Sequence, residues 1–272
     1  MKITTLLENG TLTKNLKSAH GLSVYIEYKE KKILFDLGPN NYYLKNAKKL
    51  GIDLSEVDYL IISHGHFDHG NGLAKFLKLN KKAQVYVSSK AFEKHYKEVG
   101  FVKIPIGIKK PKDAERLVFV DSDIKIEDGI NLFSNVDYIA QVINDSRLTA
   151  KTLDGYGEDH FNHEIYLVLS EDNNRVLLSG CSHKGIKHIM DSIEKRKKYE
   201  ISHVIGGFHL SHYDDTSEIH NDYLKELGSN LLNHSTSKYF SCHCTGDKAF
   251  DELKKQMNHK LERIMTGSII NI

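Results

Sequence analysis

One stretch constrains the fold more than any other. The apolar run Val57–Ser63 leads without a break into His64-Gly65-His66-Phe67-Asp68-His69-Gly70-Asn71-Gly72. A buried strand followed by a polar, glycine-rich segment places that segment in a loop at the strand's end. Four potential metal ligands, His64, His66, Asp68 and His69, fall within six consecutive residues. Neutral imidazole and carboxylate are the usual ligands of Zn²⁺, Mn²⁺ and Fe²⁺. Gly65, Gly70 and Gly72 read as positions whose backbone freedom lets the loop curl so that several side chains face one point. The spacing suggests two cations, one taking His64 and His66 and the other Asp68 and His69, roughly 3.5–4 Å apart as in two-metal sites. The plainer alternatives are a polar loop rich in histidine by chance and a lone structural zinc. Both fit a pattern this specific poorly.

The rest of the chain reads as an ordinary globular protein. Its 272 residues, 40% hydrophobic and 27% charged, are enough for one large domain or two small ones. The net charge of +2 argues against nucleic acid or an anionic membrane as the main partner, so the expected partner is a small-molecule substrate. No apolar stretch approaches the roughly 18–20 residues needed to span a bilayer. The start of the chain has no long apolar h-region, which makes the cytoplasm the expected compartment. Three cysteines, Cys181, Cys242 and Cys244, make no disulfide framework, and all lie near histidines.

Apolar periodicity predicts strands at 22–28, 32–36, 57–63, 84–88, 165–170, 175–179, 203–205, 239–241 and 263–265. It predicts helices at 42–50, 73–79, 186–198, 218–232 and 248–256. The less regular stretch 96–162, which holds Pro105 and Pro111, is expected to be an excursion partly covering the site of a single domain, 1–272. An early half rich in strands, followed by strands alternating with helices, suits two sheets packed face to face with helices outside.

Gly206-Gly207-Phe208-His209-Leu210 presents one imidazole on a glycine-hinged loop after a strand. His209 there is a candidate general acid or substrate clamp, with Gly207 lining the substrate side. His20, in Ser18-Ala19-His20-Gly21, is a weaker candidate of the same kind, and Ser268 is a candidate for closing the pocket through backbone N–H groups. Lys109, Lys110 and Lys112 could attract a phosphorylated substrate, although a charge run is more often a solvated face.

The motif His64-x-His66-x-Asp68-His69 after an apolar strand resembles the signature of the metallo-β-lactamase superfamily. That resemblance implies an α/β fold, an αββα sandwich with two divalent metals at the sheet edge. Zinc is expected first, with manganese or iron as alternatives. It also implies that Asp36 matches the family's first acidic motif, accepting hydrogen bonds that orient the ligand loop. Ser179-Gly180-Cys181-Ser182-His183 stands where many members have Ser-Gly-Asp. Cys181 therefore either ligates as a thiolate or only lines the site. His183 is preferred as the remaining ligand over His160 and His163, the histidines in the family's usual place. His243, in Ser241-Cys242-His243-Cys244-Thr245-Gly246, matches the family's last metal-binding histidine. A structural zinc at Cys242-x-Cys244 would need a second thiol pair.

Taken together with Gly-Gly-Phe-His-Leu and Cys-His-Cys-Thr-Gly, these motifs are similar to one branch of the superfamily along nearly the whole chain. That branch includes a dihydropterin–aminobenzene ribosyl phosphate synthase of methanopterin synthesis and many metal-dependent hydrolases. The expected activity is hydrolysis of a small phosphorylated or cyclic substrate, with bound cations lowering the pKa of water from about 15.7 toward 7 and Asp68 and His209 as catalytic residues. The alternatives are a pterin-type transferase that releases diphosphate and a metal-binding sensor without turnover.

Overall fold

The computed structural model describes residues 1–112, 114–143, 145, 147–152 and 155–272. Positions 113, 144, 146, 153 and 154, all inside the expected excursion, lie outside the described residues. The chain forms two compact units: Met1–Asp121 with Ser146–Ile165 and Met265–Ile272, and Ser122–Asp145 with Tyr166–Ile264.

The first unit is built on a seven-stranded sheet in the order Ile269–Asn271, Lys2–Leu7, Ser23–Tyr28, Lys31–Phe35, Tyr59–Ile61, Gln84–Val87 and Leu117–Phe119. Ser23–Tyr28 and Lys31–Phe35 form a hairpin with Val24 opposite Phe35 and Tyr28 opposite Lys31. Lys29 in its turn has φ 51°, the left-handed conformation that matches strand twist in a tight hairpin. From Lys31–Phe35 onward the pairing is parallel. Leu60, Ile61, Val85 and Val87 are fully buried. Parallel strands covered on both faces need apolar side chains on both, hence the unbroken apolar runs in the sequence. The crossover helices Tyr42–Lys49 and Leu73–Leu79 bury Tyr43 and Ala47, and Leu73, Phe76 and Leu77.

A second, four-stranded antiparallel sheet in this unit orders Gly155–Glu158, Leu148–Thr152, Lys94–Val99 and Val102–Pro105. The stretch 96–162 also gives Leu117–Phe119 to the first sheet and Ile124–Glu127 and Ile130–Phe133 to the other unit.

The second unit has a seven-stranded sheet in the order Leu261–Arg263, Lys238–Ser241, His203–Gly206, Asn174–Leu178, Tyr166–Glu171, Ile130–Phe133 and Ile124–Glu127. Its first four strands are parallel. The helices Ile186–Lys197, Glu218–Asn233 and Asp247–Met257 bury regularly spaced apolar faces. In the first, Ile186, Ile189, Met190 and Ile193 recur at i, i+3, i+4 and i+7, one stripe of a helix. Ile189 is fully buried, so removing one methyl group as Ile189→Val should cost about 1 kcal/mol in urea denaturation. No cost would mean that the core relaxes around the gap. Among the described residues no helix is long and apolar enough to cross a membrane.

Candidate metal centre

In the first unit, parallel pairing sets Phe35 beside Ile61, so both strands end at the same edge. Loops beyond the carboxyl ends of parallel strands are the usual place for ligand sites. The first loop begins with Asp36, fully buried and held at φ 60°. Its Oδ1 accepts the Ser63 backbone N–H at 2.7 Å. Its Oδ2 accepts the Ser63 hydroxyl at 2.6 Å and the His69 Nδ1 proton at 2.6 Å. Because Ser63 Oγ gives its one proton to Asp36, it accepts from His64 Nδ1, 2.9 Å away. The network thus assigns the proton of both His64 and His69 to Nδ1 and leaves the Nε2 lone pairs facing away from Asp36.

The ligand loop is short and laced down. Phe67–Gly70 is a single helical turn carrying Asp68 and His69. Phe67 N–H donates to Ile106 O at 2.8 Å, and Ile108 N–H donates to Gly65 O at 2.9 Å. The loop glycines correct one expectation, because Gly65, Gly70 and Gly72 are absent from the positive-φ glycines. Close approach is what they allow: a Cβ on Gly65 would lie 2.4 Å from Ala91 O, and one on Gly72 2.6 Å from the Tyr43 ring.

The rings of His64 and His69 lie 4.2 Å apart between centroids, and those of His64 and His66 lie 4.6 Å apart. Asp68 Oδ2 is 3.9 Å from His69 Nε2 and 3.3 Å from His20 Nε2. All but His20 are buried. Burial, followed by the nearby His163, holds the His66 pKa well below the ordinary histidine value, so the neutral, ligand-competent ring is favoured. Imidazole lone pairs and a carboxylate gathered out of water suit a divalent cation.

Sequence reasoning missed two of the residues behind His66, His95 and Asp159, and named His163 only as a ligand candidate less favoured than His183. His95, Asp159 and His163 are buried, and their ligand atoms and that of His66 all lie within 4.8 Å of one another. Asp159 Oδ2 is 2.9 Å from His95 Nδ1 and 3.2 Å from His163 Nε2. Burial raises the Asp159 pKa, but the two histidines outweigh it and hold the carboxyl far below its usual range. No short spacing links positions 95 and 159. His95 lies on Lys94–Val99 and Asp159 just after Gly155–Glu158, and both strands pair with Leu148–Thr152 between them.

Ser268 stands apart. Its hydroxyl accepts the Met265 N–H at 3.0 Å, within a turn. It directly precedes the edge strand Ile269–Asn271, which lies three places from Lys31–Phe35, about 14 Å at normal strand spacing. The segment holding Lys109, Lys110 and Lys112 is exposed at all three lysines, and Lys110 lies over the Phe119 ring.

In the second unit, three parallel strands end at one edge and deliver three loops. Asn174–Leu178 leads to Cys181 and His183, His203–Gly206 to Gly207 and His209, and Lys238–Ser241 to His243 and Cys244. Ligand atoms of Cys181, His183 and His209 lie within 4.8 Å of one another, as do those of Cys181, His243 and Cys244. The loops are tied by Gly207 N–H to Gly180 O at 2.9 Å, Leu210 N–H to Cys244 O at 2.9 Å and Phe208 N–H to Thr245 Oγ1 at 2.9 Å. Ser182, His209 and His243 have φ of 56°, 51° and 52°, a strained region for residues with a side chain. Burial raises the Cys244 pKa, but Cys181, His209 and His243 beside it outweigh burial and hold the thiol well below its usual value.

A sequence model of the metallo-β-lactamase superfamily matches residues 19–229. The chain belongs to the metallo-β-lactamase superfamily. Its fold is of the corresponding α/β class. A solved structure described as a metal-dependent hydrolase of the β-lactamase superfamily matches it with a TM-score of 0.84 at 27% identity, covering 100% of this chain and 99% of that one. Two curated proteins of Methanocaldococcus jannaschii are similar along their whole length. One, an uncharacterized protein, is 29% identical over 98% of this chain and 99% of its own. The other, a 7,8-dihydropterin-6-methyl-4-(β-D-ribofuranosyl)-aminobenzene-5'-phosphate synthase, is 29% identical over 99% of this chain and 96% of its own. As a member of the metallo-β-lactamase superfamily the chain stands among proteins that are typically metal-dependent hydrolases, and it carries groups that could hold a divalent metal.

Proposed function

We propose that this protein is a dinuclear metal-dependent hydrolase of a small phosphorylated or cyclic substrate. The observation that carries the reading is the Asp36 network, which puts the proton of His64 and His69 on Nδ1 and so gives each Nε2 the lone pair that ligation would need. His64, His66, Asp68 and His69 are the proposed ligands in the first unit, and Cys181, His183 and His243 those in the second. Zinc is the first choice of metal, because a thiolate and imidazoles favour it over magnesium or calcium. Bound divalent cations supply a nucleophile from water at neutral pH and neutralise charge at the reacting centre.

The chain's own residues would do the rest. Asp68, with His20 at 3.3 Å from its Oδ2, would accept and pass on the proton of the attacking water. His209, on the loop after Gly206-Gly207, would protonate the leaving group or hold the substrate.

A second reading is favoured by one observation, the end-to-end similarity to the pterin synthase. In that reaction a dihydropterin diphosphate and an aminobenzene ribosyl phosphate would be joined with release of diphosphate.

One experiment separates the two. Purified protein loaded with zinc or manganese is given phosphodiester and lactone substrates in one series and the pterin and aminobenzene partners in another. Hydrolysis that is lost on chelation and restored by metal is the expected result. Diphosphate release that requires both partners, with no hydrolysis in the first series, would replace it with the transferase.

A further inference from the structure

Two histidines precede the strand Tyr166–Glu171, where family resemblance places a ligand. His160 is exposed, whereas His163 is buried with its ring 5.2 Å from that of His66 and 5.9 Å from that of His64. Position alone makes His163 a ligand candidate, but its hydrogen bonds point elsewhere.

The backbone N–H of Gly65 points at His163 Nδ1 from 2.9 Å. An amide N–H only donates, so Nδ1 holds a lone pair there. A neutral imidazole carries one proton, which therefore sits on Nε2, 3.2 Å from Asp159 Oδ2. A protonated ring nitrogen has no lone pair to give a cation. The assignment is the reverse of that in His64 and His69, whose Nδ1 protons are drawn by the Asp36 network.

We infer that His163 is a positioning residue and not a metal ligand: it grips the backbone of Gly65, between His64 and His66, and is itself held by Asp159. His95 completes the support. Its Nδ1 lies 2.9 Å from Asp159 Oδ2, so a proton there holds the same carboxylate oxygen from the strand Lys94–Val99. Asp36 orients ligand rings through Ser63 and His69, and Asp159 acts on the loop's main chain through His163. This inference rests on the proposed ligation by His64 and His66, but its first test does not require metal.

Histidine-selective ¹⁵N labelling with long-range ¹H–¹⁵N spectra reads the tautomer directly. In metal-free protein, and again after zinc is added, His163 is expected to carry its proton on Nε2. Loss of that proton on zinc binding would make His163 a ligand and overturn the inference. His163→Ala should bind as many zinc ions per chain as the unaltered protein, with affinity lowered about 10–100-fold. Hydrogen exchange at the Gly65 amide should quicken in the same variant without metal. His163→Asn, whose Oδ1 can accept the Gly65 N–H in place of Nδ1, should recover most of both losses. One zinc fewer per chain in both variants would also overturn the inference. If His163→Ala does not fold, the spectra and the asparagine variant carry the test. An unaltered protein that binds no zinc would defeat the metal reading, while the metal-free tautomer still decides this one.

Discussion

Replacing Asp36 with asparagine is expected to lower turnover by about 10⁴-fold, the scale of a wrong histidine tautomer at an active site. The shape of the side chain is kept. Its oxygen must remain opposite the Ser63 N–H, which leaves the new NH₂ group where Oδ2 accepted from Ser63 Oγ and His69 Nδ1. A donor in that place turns His69 Nδ1 into an acceptor and sends its proton to Nε2. The ring stays where it was, but the nitrogen proposed to ligate no longer can. Zinc content should fall along with turnover, while the melting temperature without metal moves little. Asp36→Ala should behave differently, because it strands the buried Ser63 N–H and His69 Nδ1 at roughly 1–3 kcal/mol each. Near-normal turnover and full zinc content in Asp36→Asn would show that the network does not control ligation.

That network also marks how far the sequence could be read. Asp36 and Ser63 each follow an apolar run that folds as a strand, and parallel pairing of those runs puts the two residues together. Most other elements were legible for the same reason: burial on one or both faces imposes a period on the side chains. The strand expected at 263–265 instead spans Leu261–Arg263, because the buried Leu261 directly follows the turn Asn258–Lys260. The opening strand Lys2–Leu7 was not read, since its buried Thr4 and Thr5 look polar on paper.

The stretch 96–162 hid the most. Its strands are short and belong to three different sheets, so no single period runs through it. Asp159 lies inside it and His95 on the strand Lys94–Val99 that leads into it, so both were invisible, and with them the support beneath His163. The role of the loop glycines was misjudged for a related one. A glycine that permits an unusual φ and a glycine that lets another segment come close look identical in a sequence. Only the fold separates Gly51, at φ 71° with nothing within 4 Å of an added Cβ, from Gly65, which is pressed against Ala91.

Gly65→Ala is the second substitution expected to have a large effect. The added methyl would sit 2.4 Å from Ala91 O, 2.9 Å from Ala91 Cα and 3.0 Å from the Ala91 carbonyl carbon. All three are main-chain atoms, so no side chain can swing aside. Gly65 is also pinned by its N–H to His163 Nδ1 and by its O to Ile108 N–H, both at 2.9 Å. Relief to ordinary contact requires the loop to move by about 1 Å, and a shift of that size at reacting groups can cost about 10²-fold in rate. The flanking residues His64 and His66 would move with it, so zinc affinity should fall together with turnover. Gly70→Ala is the control. Its methyl would meet Ile108 Cγ2 at 2.9 Å and Cδ1 at 3.0 Å, the ends of a side chain that can rotate, and it should lose far less. Equal losses in the two variants would mean that the loop tolerates no added bulk anywhere, and that the contact with Ala91 does not set its position. A smaller loss in Gly65→Ala would show that the segment carrying Ala91 yields, leaving the hydrogen bonds to His163 and Ile108 to hold His64 and His66 in place.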